Sequence, residues 1–314
     1  MAISRSDIEQ AQQRLAAGPP GFLRRTPLWK LPGAQFGVPA AEIWLKLEQL
    51  QVGGSFKARG MLHRLLAQPI GPAGVVVASG GNAGIATAAA ARALGVPCQV
   101  FLPEVAGEAK RARLRALGAE VVLAGAVYAD ALQACLARQR ETGALLTHAY
   151  DQPEVVAGAG TLAREIEEQG GLPDSVLVSV GGGGLIGGIA AWFERRCRVV
   201  ALEPERAPTL YRARAAGAPV DVDVAGVAAD ALGARRIGDL AWDIARHQVH
   251  DAVLLPDEAI VQAQRWLWRE LRLAVEPAAA LGLAALHSGA YAPQAGERVC
   301  LVLCGANLEP GTLA

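Results

Sequence analysis

Residues 175–185 read SVLVSVGGGGL, a short apolar run that leads through four glycines into a helical pattern over 185–195. An apolar run of this length is typical of a buried strand in a parallel sheet. Four glycines let backbone N–H groups approach an anion, and the positive end of the next helix points at the same place. The stretch therefore predicts a strand–turn–helix unit that binds a phosphate group. A tight structural turn is the plainer alternative.

The same alternation of strand and helix continues on both sides of this unit. Other apolar runs predict strands, and helical patterns separate them. These runs are 43–48, 74–79, 97–102, 120–123, 198–203 and 299–304. Such alternation is typical of parallel α/β domains. We expect two lobes, each a mostly parallel sheet flanked by helices. Residues 1–47 and 148–314 would form the large domain, and residues 48–147 the small inserted domain.

A lysine follows a second glycine turn, in the segment VGGSFKARG at 52–60. We expect Ser55 to be a helix N-cap and Lys57 to lie in the first turn. The positive helix terminus disfavours a charged amine there, and Schiff-base chemistry requires an uncharged lysine amine. An ordinary surface lysine is the alternative when this stretch is taken alone.

Composition and charge exclude several classes of function. The chain has 314 residues, formal net charge zero and 52% hydrophobic residues, so nothing favours nucleic acid or an anionic membrane as a partner. The N-terminus shows no signal peptide, because a capping box at Ser6 is expected to begin a polar helix. Five dispersed cysteines without a CxxC pair indicate a reduced, cytoplasmic compartment and give no basis for a zinc site.

A nicotinamide-dependent dehydrogenase is an alternative of another class. Residues 182–187 match GxGxxG after a strand, and Glu203 ends the next strand, where a ribose-binding acid would lie. The pattern begins in mid-chain, however, and the rest of the sequence offers no evident set of residues for hydride transfer. A non-catalytic protein that binds a small ligand is a further alternative.

Five segments occur in the order found in fold-type II pyridoxal-phosphate enzymes. They are SFK at 55–57 with Gly60, SGGNAG at 79–84, SVGGGGL at 179–185, VEPA at 275–278 and CGAN at 304–307. From about residue 25 onward the chain resembles the serine/threonine dehydratases, and it is most similar to their short, serine-dehydratase-like branch. The resemblance implies a two-lobed α/β fold like that of tryptophan synthase β.

The resemblance also implies a site for pyridoxal 5′-phosphate. Lys57 would bind the cofactor as a Schiff base and remove the Cα proton of the substrate, and Phe56 would pack against the ring. Asn82 would donate to the 3′ oxygen, and Cys304 would face the ring nitrogen as a weak hydrogen-bond partner. The phosphate would be bound by Gly181, Gly182, Gly183, Gly184 and Leu185.

Substrate and cation sites follow from the same comparison. The substrate carboxylate would be bound by Ser79, Gly80, Gly81 and Ala83. Gly80 stands where serine or alanine is frequent and Ala83 where histidine is frequent, so the substrate is left open. A monovalent cation such as K⁺ would be bound by Gly181, Glu203, Ala207, Leu232 and Ala234. Alternatively, Glu203 is a surface charge at a strand end. Glu276 either faces the site or caps the following helix.

The implied activity is β-elimination of L-serine, L-threonine or a related β-hydroxy amino acid, which gives a 2-oxo acid and ammonia. A racemase or a β-replacement enzyme on the same fold is the nearest alternative, because both use the same lysine. The implied partner is a small amino-acid substrate, and a homodimer is expected from the resemblance alone.

Overall fold

The computed structural model describes residues 3–39 and 41–313, which form two sheets with helices around them. The strands are β1 (Leu28–Pro32), β2 (Glu42–Lys46), β3 (Val75–Val77), β4 (Cys98–Leu102), β5 (Glu120–Leu123), β6 (Leu145–Thr147), β7 (Ser175–Ser179), β8 (Arg198–Pro204), β9 (Asp251–Leu255) and β10 (Arg298–Val302). The α-helices are α1 (Arg5–Ala16), α2 (Lys57–Leu66), α3 (Asn82–Leu94), α4 (Glu108–Ala116), α5 (Tyr128–Thr142), α6 (Pro153–Gly170), α7 (Gly184–Phe193), α8 (Thr209–Ala216), α9 (Ala229–Leu232), α10 (Asp239–Gln248), α11 (Asp257–Leu271) and α12 (Pro277–His287).

The larger sheet has six strands in the order β1-β2-β10-β7-β8-β9. β1 pairs with β2 antiparallel, and every other pair is parallel. The central strands β7 and β8 are almost wholly buried, as their continuous apolar sequences predict. Helices α7 and α12 are buried along their whole apolar length in the same core. Because β7, β8 and β10 run parallel, their carboxyl ends lie at the same edge of the sheet. Parallel α/β proteins bind ligands at that edge.

The smaller sheet has four parallel strands in the order β5-β4-β3-β6. Its strands come from the part of the chain between β2 and β7, and the small side chains of α3 pack against it. Two α/β domains, each with a parallel sheet, are therefore confirmed. We propose that the domain boundaries fall at 47/48 and 147/148, between strands that belong to different sheets.

Each of the seven predicted apolar runs corresponds to a strand, but three strands were not predicted. β1 is a partly exposed edge strand, β6 has three residues, and β9 is a half-buried edge strand. The predicted cap of the first helix was wrong, since Ser4 rather than Ser6 caps α1 by a reciprocal pair of bonds with Asp7. Among the described residues, no helix combines the length and the apolar character needed to cross a membrane.

Candidate active site

The lysine turn is joined to the end of β10 by backbone hydrogen bonds. The Phe56 N–H donates to the Cys304 carbonyl at 3.0 Å, and the Ala306 N–H donates to the Gly54 carbonyl at 2.8 Å. Ser55 and Gly305 form an antiparallel bridge between these bonds. The fold therefore brings two predicted site segments, about 250 residues apart in the sequence, directly side by side.

The expected role of Ser55 as a helix cap was wrong. Ser55 is extended (φ −161°, ψ 161°), and Phe56 occupies the N-cap position without a side-chain hydrogen bond. The bridge to Gly305 requires this extended backbone, so a contact distant in the sequence overrides the local capping pattern. Within residues 3–39 and 41–313, the buried Ser55 hydroxyl has no hydrogen-bond partner.

Lys57 is the first residue of α2 and is partly buried. Its Nζ donates to the Ala149 carbonyl at 2.5 Å and lies 5.0 Å from the centroid of the Phe56 ring. Burial lowers the pKa of Lys57 to about 8, and the nearby carboxylate of Glu276 opposes that shift only in part. The expectation of an easily deprotonated amine therefore rests mainly on desolvation, and not on the helix dipole invoked from the sequence.

A contact between Asn82 and Glu276 connects the SGGNAG segment at 79–84, called the asparagine turn below, with the start of α12. The Asn82 amide Nδ2 donates to both carboxylate oxygens of Glu276, at 2.9 and 3.1 Å. Glu276 occupies the N-cap position of α12, but its side chain makes no capping hydrogen bond. Burial raises the pKa of Glu276 to about 7, although the bond from Asn82 opposes this. Of the two alternatives for Glu276, the structure places its carboxyl toward the site.

Cys304 lies two residues beyond β10 and is 4% exposed. Burial raises the pKa of the Cys304 thiol well above its ordinary value, and the neighbouring Glu276 raises it further. The thiol therefore stays protonated and uncharged at neutral pH. This side chain can be only a weak hydrogen-bond partner and does not bring a negative charge to the site.

The tetraglycine turn connects β7 to α7 and packs tightly against the segment that follows β6. A Cβ on Gly182 would lie 2.3 Å from the Tyr150 ring, and Gly183 has φ +89°. Close packing therefore explains the glycine at 182, and the left-handed backbone conformation explains the glycine at 183. Within the described chain, the N–H groups of residues 181–184 donate to no protein acceptor. They stand free at the positive end of α7, as expected for an anion site.

The four residues expected to bind a substrate carboxylate lie around the start of α3. The Ser79 hydroxyl accepts from the Gly81 N–H at 3.4 Å, and Gly80 and Gly81 are partly exposed. A Cβ on Gly80 would lie 2.9 Å from Leu102 Cδ2, so Leu102 lies directly beside that position. Ala83 is 3% exposed and packs in a small apolar cluster, so only its N–H could face a ligand.

Glu203 is fully buried, which makes the surface-charge alternative wrong. Its carboxylate accepts from the N–H groups of Leu210 and Tyr211, both at 2.7 Å, at the start of α8. Thr209 Oγ1 lies 2.9 Å from Glu203 Oε1 and 2.6 Å from the Gly181 carbonyl oxygen. Burial raises the pKa of Glu203 to about 7. Because the Glu203 carboxylate is fully buried, it does not line an open cleft where a ribose could bind.

The other expected cation ligands lie around the same threonine. The Thr209 N–H donates to the Ala207 carbonyl at 3.2 Å, and a Cβ on Gly181 would lie 2.9 Å from Leu232 Cα. Ala234 follows two residues later and is partly buried. One hydroxyl proton serves only one of the two acceptors that flank Thr209 Oγ1. If the hydroxyl donates to the Gly181 carbonyl, the contact between Thr209 Oγ1 and Glu203 Oε1 requires either a proton on Glu203 or a cation.

Sequence reasoning missed the contribution of four residues to this region. Ala149 and Tyr150 follow the short strand β6. Had that strand been predicted, these two residues would have been expected at its carboxyl end, beside the site. Thr209 lies six residues after Glu203, and no local pattern marks it. Asn307 was noted in a motif but given no role, and its amide donates to the Asn82 side chain.

Comparisons with known proteins show the family to which this chain is related. Residues 20–305 match the family described as "Pyridoxal-phosphate dependent enzyme". A phenylserine dehydratase from Ralstonia pickettii is 36% identical over 93% of this chain and 91% of that protein. An L-threonine ammonia-lyase from Thermotoga maritima is 33% identical over 98% of this chain and 76% of that protein.

The fold is similar to that of a solved enzyme structure over its whole length. The structure of maize serine racemase superposes with a TM-score of 0.91 at 30% identity, and covers 100% of this chain and 96% of that one. The family match spans most of the sequence and includes the lysine turn, the asparagine turn and the tetraglycine turn. This chain belongs to the pyridoxal-phosphate dependent enzyme family.

Proposed function

We propose that this enzyme eliminates water from a β-hydroxy amino acid, and that a water molecule then hydrolyses the released enamine to a 2-oxo acid and ammonia. The candidate substrates are L-serine, L-threonine and related compounds such as phenylserine. The observation that carries the proposal is the partly buried Lys57 amine, with a pKa of about 8, close to Cys304 and Glu276. The relatives named as a phenylserine dehydratase and an L-threonine ammonia-lyase support this reaction class.

The residues present fit pyridoxal phosphate. The free N–H groups of 181–184 suit its phosphate, with Leu185 beside them in α7. The buried hydroxyl of Ser55, without a protein partner in the described chain, is a further polar group close to Lys57. When bound, the cofactor supplies an electron sink for the charge left at the substrate Cα. We propose that the residues that hold it are Phe56, Lys57, Asn82, Gly181, Gly182, Gly183, Gly184, Leu185 and Cys304.

Lys57 has two tasks in this proposal. Its amine would hold the cofactor through the cofactor's aldehyde group, and once freed by the substrate it would accept the Cα proton. A pKa near 8 leaves an appreciable uncharged fraction at neutral pH, which both tasks require. The N–H groups near Ser79, Gly80, Gly81 and Ala83 would orient the substrate carboxylate at the start of α3.

Cys304 favours elimination over reactions that need a long-lived negative charge at Cα. Its thiol remains protonated, so it does not place a carboxylate-like charge near the cofactor. A milder electron sink favours early loss of the β-hydroxyl over a long-lived negative charge at Cα. Racemisation is the second candidate, because maize serine racemase shares the fold. A β-replacement enzyme would in addition have to retain the eliminated product.

The first experiment is a visible absorption spectrum of the purified protein. We expect a yellow protein whose absorbance is bleached by borohydride, and we expect Lys57→Ala to abolish both properties. Lys30→Ala, which removes an exposed lysine, is the matched control and should leave the spectrum unchanged. A colourless protein that stays inactive after pyridoxal phosphate is supplied would contradict the proposal.

The second experiment identifies the substrate and the reaction. Release of 2-oxo acid is measured for serine, threonine, phenylserine and 3-hydroxyaspartate, and chiral chromatography measures the opposite enantiomer in the same samples. Oxo acid in excess over enantiomer supports elimination. Enantiomer without oxo acid would establish the racemase alternative.

We further propose a bound K⁺, a homodimer and a cytoplasmic location. The cation would be held by Glu203 and the carbonyl groups of Gly181, Ala207, Leu232 and Ala234, since oxygen ligands suit a hard cation. All five cysteines are buried and unpaired, which supports a reducing compartment. Light scattering coupled to gel filtration tests the dimer.

A further inference from the structure

The chain has two asparagines, Asn82 and Asn307, and their side chains are hydrogen-bonded to each other. Asn82 begins α3, which follows β3 of the smaller sheet, and Asn307 lies three residues after Cys304, beyond the larger sheet. The two residues are 225 positions apart in the sequence. A direct contact between them therefore joins the edges of the two sheets at the cofactor site.

Asn307 uses both hydrogens of its amide. Nδ2 donates to the Gly53 carbonyl at 2.8 Å and to Asn82 Oδ1. The Asn307 oxygen lies against the lysine turn, where a Cβ on Gly54 would approach Oδ1 to 2.6 Å. The glycine at 54 thus allows Asn307 to pack close to the turn that carries Lys57.

The bonds around Asn82 permit only one orientation of its amide. Asn307 presents a donor, so the oxygen of Asn82 must face it, while Glu276 presents a carboxylate and must face Nδ2. Reversal would set two donors against each other at Asn307 and, when Glu276 is ionised, two acceptors against each other at Glu276. One N–H of Asn82 can reach both Glu276 oxygens, which leaves its second N–H for an acceptor in the cleft.

We propose that Asn307 is a positioning residue that holds the Asn82 amide with its NH₂ group toward Glu276 and toward the cofactor's 3′ oxygen. Asn307 would act through Asn82 and would not itself touch the cofactor or the substrate. The part that concerns the cofactor rests on the proposed function, whereas the orientation of Asn82 does not.

The orientation can be tested on the protein freed of cofactor. Labelling with asparagine carrying ¹⁵N at Nδ2 gives two side-chain NH₂ groups, and Asn307→Ala assigns them. We expect the two Asn82 protons to be well separated in wild type and to shift near pH 7 as Glu276 titrates. In Asn307→Ala we expect their separation to shrink and their exchange with solvent to rise at least tenfold. Asn82 signals unchanged in Asn307→Ala would overturn the proposal.

A double-mutant cycle tests the consequence for the cofactor. Asn307→Asp keeps the shape but removes the donor, and we expect it to weaken pyridoxal phosphate binding about tenfold and to shift the visible maximum. We expect Asn82→Ala/Asn307→Ala to bind no more weakly than Asn82→Ala alone. Independent, multiplicative losses would contradict the proposal, because Asn307 would then act without Asn82.

Gln68→Ala is the matched control for loss of an amide hydrogen bond. Gln68 is bonded to Glu154 at the protein surface, and its removal should leave both the NH₂ signals and the cofactor affinity unchanged. A wild-type protein that binds no pyridoxal phosphate would contradict the proposed function. The NMR experiment would still decide whether Asn307 orients Asn82.

Discussion

Arg59 donates two hydrogen bonds to Glu48, at 2.8 and 2.7 Å, and neither side chain is more than 2% exposed. The same guanidinium lies 2.9 Å from Glu165 on α6, which also binds Lys46 of β2 at 2.5 Å. Arg59 is two residues after Lys57. This buried network therefore ties the first turn of α2 to β2 and α6, and it fixes the helix that carries the lysine.

Arg59→Met should destabilise the protein strongly. The substitution leaves the carboxylate of Glu48 buried without its partner, and removal of one member of a buried ion pair typically costs about 3–5 kcal/mol. The free energy of unfolding in urea measures the effect. Arg59→Met combined with Glu48→Gln should lose less than the sum of the two single changes, because no uncompensated charge then remains at position 48.

An exposed ion pair on α4 provides the control for this prediction. Arg115 and Glu108 are 2.7 Å apart, but both side chains are more than half exposed. Arg115→Met should change the free energy of unfolding by no more than about 0.5 kcal/mol. Equal losses for Arg59→Met and Arg115→Met would show that the buried network does not stabilise α2.

Lys57 should react as a more acidic amine than an ordinary lysine. In the protein freed of cofactor, labelling by trinitrobenzenesulfonate should rise with pH around a midpoint near 8, because burial lowers the pKa of Lys57. An ordinary lysine has its midpoint near 10.4. The N-terminal amine also has an ordinary pKa of about 8, so wild type should show two reactive amines with this midpoint and Lys57→Arg only one. Two such amines in Lys57→Arg would assign the second one to a residue other than Lys57.

The parts of the fold that the sequence predicted are those with local signals. Apolar runs marked the buried strands such as β7 and β8, and the glycine turn marked the start of α7. β9 begins with Asp251, lies at the sheet edge and is only half buried, so it lacks that signal. β6 is too short to show a pattern. The residues that follow it, Ala149 and Tyr150, were therefore not predicted to lie at the site.

The candidate site shows the same limit at the level of single side chains. Lys57, Asn82 and Cys304 were proposed from motifs, and the structure places them in neighbouring segments. Ser55 was assigned a local capping role, but it pairs with Gly305 far along the chain. Contacts of this kind depend on how the two sheets meet, and no short window of sequence contains that information.

Two buried carboxyls should make the protein less stable as pH rises. Burial raises the pKa values of Glu203 and Glu276 from 4.5 to about 7, so the folded state binds more protons than the unfolded state between these values. Their contribution to stability is therefore complete below pH 4.5 and is lost as pH rises through 7. Each carboxyl should lower the free energy of unfolding by up to about 1.4 kcal/mol per pH unit.

Glu203→Gln isolates one of these contributions. The variant will be less stable overall, because an amide suits the donors at the start of α8 poorly. Its urea midpoint should nevertheless fall less steeply between pH 4.5 and 7 than that of wild type. Glu270→Gln, at an exposed position, should keep the wild-type slope. A parallel pH dependence in Glu203→Gln and wild type would contradict the assignment.

Potassium should stabilise the protein if a cation completes the contacts around Thr209. We expect a higher melting temperature in potassium chloride than in choline chloride at the same ionic strength, since choline is too large for the site. Thr209→Val should reduce this difference, because it removes the hydroxyl between Gly181 and Glu203. Identical melting temperatures in the two salts would leave protonation of Glu203 as the explanation of the close oxygen pair.

Gly182→Ala should disturb the phosphate turn through Tyr150. The added methyl group would lie 2.3 Å from the tyrosine ring, so the turn or the ring must move, at a cost of about 1–3 kcal/mol. Gly187→Ala is the control, because its Cβ would meet Ala241 at an ordinary 3.4 Å. Gly182→Ala should lower both stability and pyridoxal phosphate affinity, and the additional change Tyr150→Ala should restore part of the affinity by making room. Equal behaviour of Gly182→Ala and Gly187→Ala would show that Tyr150 does not constrain the turn.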